Sequence, residues 1–119
     1  MVTEPEHTKS FAKVASGEAD AFATDDVLLY GLIAAAPDGK NYRVAGDLLS
    51  YEPYGLMFRR DDPAFANLID SAFAGMARQG RLRELYARWF LYRLPTGENL
   101  NLPMSTQLAE VFRLLGQPD

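Results

Sequence analysis

Three acidic and basic positions in this chain have the type and placement to do chemistry. Asp25 and Asp26 form a pair where a short apolar segment, Ala19-Asp20-Ala21-Phe22-Ala23-Thr24, gives way to a helical pattern. A carboxylate at such a junction can receive a ligand's ammonium group through a charge-assisted hydrogen bond, and ligands of open α/β sheets sit outside the carboxyl ends of strands. Both aspartates can equally serve as helix caps; Asp26 is expected to be the cap and Asp25 the one left to face outward. His7, the one histidine, precedes a helix start among Glu6, Thr8 and Lys9. It is either an exposed loop residue or a donor to an anionic group, as imidazole or imidazolium. Asp61-Asp62 leads into Pro63, and capping accounts for it. Arg59-Arg60 and Arg78, Arg81, Arg83 and Arg88 read as solvated faces. Neither a Ser/His/Asp arrangement nor a glycine-rich phosphate loop is present, so no catalytic residue is assigned.

Composition narrows the field further. The chain has 119 residues, 12 Lys+Arg, 16 Asp+Glu and no Cys, with a formal net charge of −4. Disulfide frameworks, zinc knuckles and thiol nucleophiles are excluded, and one histidine leaves no multi-His metal site. No metal or other cofactor is therefore expected. A pI near 4.9 argues against a nucleic-acid partner. The longest apolar run, 27–36, falls well short of the roughly 20 residues a membrane span needs. The start, Met1-Val2-Thr3-Glu4-Pro5-Glu6, has no basic region followed by an apolar one, so no signal peptide is expected there.

The elements that must position these residues follow from periodicity. Phe11, Val14 and Ala15 predict a helix over 8–16, closed by a left-handed Gly17. A strand over 19–24, a helix over 27–36 capped by Asp26, a Pro37-Asp38-Gly39 turn and a strand over 41–45 form a predicted βαβ unit. A third strand is expected over 53–59. Asp62 caps a helix with Pro63 at its first position, whose Phe65, Leu68, Ile69, Ala72, Phe73 and Met76 predict a buried stripe. Gly80 ends it. A helix over 82–91 repeats the pattern with Tyr86, Trp89 and Phe90 as core, 94–103 is irregular, and a last helix runs from about Ser105 to Gly116. The expected fold class is α/β. Three strands are few for so many apolar helical faces, which points to partner strands outside this chain.

The run Ser10-Phe11-Ala12-Lys13-Val14-Ala15-Ser16-Gly17-Glu18-Ala19-Asp20-Ala21-Phe22-Ala23-Thr24-Asp25-Asp26-Val27-Leu28-Leu29 resembles the second half of the amino-acid-binding proteins of bacterial ABC transporters. Tyr54-Gly55-Leu56-Met57-Phe58-Arg59-Arg60-Asp61-Asp62-Pro63, then Trp89-Phe90, Asn99-Leu100-Asn101 and Leu102-Pro103-Met104-Ser105 extend the resemblance. It is closest to the glutamate/aspartate-binding branch. The resemblance implies a partial type II periplasmic-binding-protein fold: 1–45 in an incomplete second lobe, 46–51 a returning hinge, and 52–119 the C-terminal part of the first lobe. It implies that Asp25 takes the α-ammonium of a bound amino acid and that His7 lies near the ligand's side-chain carboxylate. It further implies an ABC permease as partner, a periplasmic location and no enzymatic reaction. The arginine and Ser/Thr groups that hold the ligand's α-carboxylate in this family are expected outside the chain. With unpaired edges, the chain by itself is expected to form a homodimer or strand-swapped oligomer. A sensory or interaction domain of the same fold is the second reading, and a dehydratase-like enzyme the third.

Overall fold

Among the described residues, two helix starts in the computed structural model carry a side-chain cap written in their own residues. The structure describes residues 1–47 and 49–118; Leu48, within the expected hinge 46–51, and Asp119 lie outside the described residues. Helix α1 (His7–Ser16) ends on Gly17 at φ 80°, the left-handed stop its sequence predicts. Helix α2 (Asp26–Ala35) follows, then a 3₁₀ turn, Gly39–Asn41. Gly39 is required there, because a Cβ would collide with the carbonyl of Ile33.

Helix α3 (Pro63–Arg78) opens as expected: the Asp62 side chain accepts from the Phe65 amide at 3.0 Å, with Pro63 in the first turn. Gly80, at φ 75°, turns the chain into α4 (Arg81–Tyr86), which continues as a π-helical turn, Ala87–Leu91. Helix α5 (Thr106–Leu114) is capped by Ser105, whose hydroxyl accepts from the Leu108 amide at 3.1 Å. The irregular 94–103 segment is tied down by the Leu102 amide, which donates to the Phe90 carbonyl at 3.0 Å.

The expected strands do not form. Among the described residues there is no strand, so the expected βαβ unit is not formed within them. A helix satisfies its backbone groups within its own segment, whereas a strand needs a neighbour to bond. No backbone hydrogen bond joins the segments 19–24, 41–45 and 53–59 among the described residues, so none supplies that neighbour to another.

The core is correspondingly small. Its buried residues, among those described, are Ala77, Leu82, Tyr86, Leu102 and Gln117, so it sits where the end of α3, α4 and the chain before and after α5 converge. Gly116 lies against the Arg78 stem there. The α3 stripe is covered only toward its C-terminal end: Ile69, Phe73 and Met76 are half-buried, while Leu68 is 62% exposed and Phe65 also faces out. Among the described residues no sheet packs against that face. Trp89, expected in the core, is 49% exposed. The π turn, closed by the Tyr92 amide on the Ala87 carbonyl at 2.8 Å, fits an extra residue into the turn and rotates the side chains after Tyr86 away from the helical register. The chain exposes 9,469 Å², against about 6,400 Å² for a compact chain of this mass. Its radius of gyration is 17.6 Å, against about 13.5 Å for a compact domain of this length.

Candidate functional site

Asp25 occupies the N-cap position of α2, and its carbonyl accepts from the amides of both Leu28 and Leu29 at 3.1 Å. Its side chain makes no capping bond. The helix thus starts one residue earlier than expected. Asp26, expected to be the cap, lies inside the first turn, where its Oδ1 accepts from the Val27 amide at 2.7 Å. The backbone work of starting the helix is done by Asp25's carbonyl and the side-chain work by Asp26. The Asp25 carboxylate remains exposed.

Among the described residues, that carboxylate has one hydrogen-bond partner. The Tyr54 hydroxyl donates to Asp25 Oδ2 at 3.2 Å, across 29 residues of chain. The bond raises the Tyr54 hydroxyl above the ordinary tyrosine range, chiefly because the neutral phenol donates to Asp25 and also because its phenolate would face the charges of Asp25 and Asp26. The neutral phenol is the donor of the pair and Asp25 Oδ2 the acceptor. A carboxylate that accepts one hydrogen bond has further lone pairs to offer a cation. Tyr54 was not among the residues singled out as a site from the sequence; its signals there were the expected strand over 53–59 and the run from Tyr54 to Pro63 that extends the resemblance.

His7 is the first residue of α1 and exposed. Its ring lies 6.1 Å from that of Phe22, centroid to centroid. Phe22 stands three residues before Asp25, so the 19–24 segment runs between the two candidates. Among the described residues, no hydrogen bond or ion pair joins His7 to Asp25. α1 is fixed to the chain after α2 by the edge-on contact of Phe11 and Tyr42, 4.9 Å between centroids. Tyr42 in turn donates to Asp38 at 2.8 Å. No group of three or more His, Asp or Glu side chains among the described residues is placed to hold a metal ion, and no helix is long and apolar enough to cross a membrane.

The comparison with known proteins bears on this arrangement. Over 113 residues, 94% of this chain, it is 38% identical to an L-glutamate/L-aspartate-binding protein of Pseudomonas aeruginosa. Over 114 residues it is 33% identical to a glutamate/aspartate import solute-binding protein of Escherichia coli. The chain is a homologue of part of the amino-acid-binding ABC solute-binding proteins. An ABC transporter glutamine-binding protein of Bacillus subtilis is 34% identical over 83 residues. The chain spans 37% and 38% of the length of the first two relatives. These ABC solute-binding proteins are substrate-binding transport proteins rather than enzymes. No family model matches the chain, and no solved structure matches it.

Proposed function

We propose that this chain supplies one side of the ligand site of a periplasmic amino-acid-binding component of an ABC importer, with glutamate and aspartate as preferred ligands. The observation that carries the reading is the Asp25 carboxylate. It stands exposed at the start of α2, performs no capping, and has one oxygen oriented by Tyr54. Two relatives are named for binding glutamate and aspartate, and the aspartate-to-ammonium role belongs to the resemblance of residues 10–29. Asp25 receives the α-ammonium of the ligand in a charge-assisted bond. His7, at the start of α1, donates to the side-chain carboxylate of an acidic ligand. The α-carboxylate is held by groups supplied from elsewhere in the longer polypeptide, and the closed, liganded form docks on a membrane permease. No bond of the ligand is made or broken.

The test is a chimera in which these residues replace their counterpart in the Pseudomonas aeruginosa relative. It should bind glutamate in calorimetry, and Asp25→Ala should weaken that binding by at least about a hundredfold, since a charged hydrogen bond is lost and an ammonium is left unpaired. The 119-residue chain alone should bind glutamate poorly. A change under about threefold in the Asp25→Ala chimera would remove Asp25 from the site.

A further inference from the structure

We draw no further inference here: the strongest candidate, the buried side-chain oxygen of Gln117 in the cluster where α3 and α4 meet the chain after α5, has no hydrogen-bond partner among the described residues, and nothing in the structure shows what would donate to it.

Discussion

Removing one oxygen atom from the core tests whether the small buried cluster holds α5 to the rest of the chain. Tyr86 is 8% exposed, and its hydroxyl lies 3.3 Å from the Leu102 carbonyl and 3.2 Å from that of Pro103. One O–H proton is shared between two acceptors, so Tyr86→Phe removes one bond's worth of energy, about 0.5–1.5 kcal/mol. The Leu102 carbonyl belongs to a buried residue and is left without this donor, which raises the cost; the carbonyl of exposed Pro103 regains water. The ring keeps its contact with Phe90, 4.7 Å between centroids, so no cavity term enters. The expected loss is about 1–2 kcal/mol, or roughly 3–6 °C in Tm for each kcal/mol in a chain of this size. Equilibrium urea unfolding followed by circular dichroism measures it. The pH dependence supplies a second arm. Burial, with lesser contributions from Asp26 and Tyr30, raises the Tyr86 hydroxyl above the ordinary tyrosine range. A group bound more tightly to its proton in the folded state contributes fully below its unfolded value near 10 and loses that contribution as pH rises through the higher folded value. The difference between the native chain and Tyr86→Phe should therefore hold across neutral pH and shrink only on the alkaline limb. A difference below about 0.3 kcal/mol at neutral pH would show that the hydroxyl does not secure the 102–103 segment.

Other expectations follow from single contacts. Asp25→Asn should bring the Tyr54 hydroxyl back down toward the ordinary tyrosine range, because the carboxylate that favours its neutral form is gone; near-ultraviolet phenolate titration reads the shift, and an unmoved titration would deny the Asp25–Tyr54 bond. In the chimera with the Pseudomonas aeruginosa relative, His7→Ala should weaken glutamate binding more than glutamine binding, by about 1–2 kcal/mol; equal losses would make His7 a packing residue beside Phe22. Ser105→Ala removes the acceptor for the Leu108 amide and should cost about 0.5–2 kcal/mol, read as a lowered urea midpoint, with the loss rescued by Ser105→Asp.

The sequence by itself determined what local geometry controls. The start of α3 at Asp62-Pro63, its end before Gly80, the left-handed Gly17 after α1 and the Ser105 cap of α5 each depend on groups within four residues of one another, and each is found where the residues place it. Asp25 was legible as the outward-facing member of its pair for the same reason: Asp26 can reach the amides of the first turn. Three things were decided only by tertiary structure. The predicted strands at 19–24, 41–45 and 53–59 stay unpaired among the described residues, because a strand's hydrogen bonds are completed by a neighbour that periodicity cannot supply. Trp89 leaves the core because a π turn after Tyr86 breaks the 3.6-residue register on which its burial was inferred. Tyr54 joins Asp25 across 29 residues, and no spacing rule connects two side chains that the path of the backbone alone brings within reach.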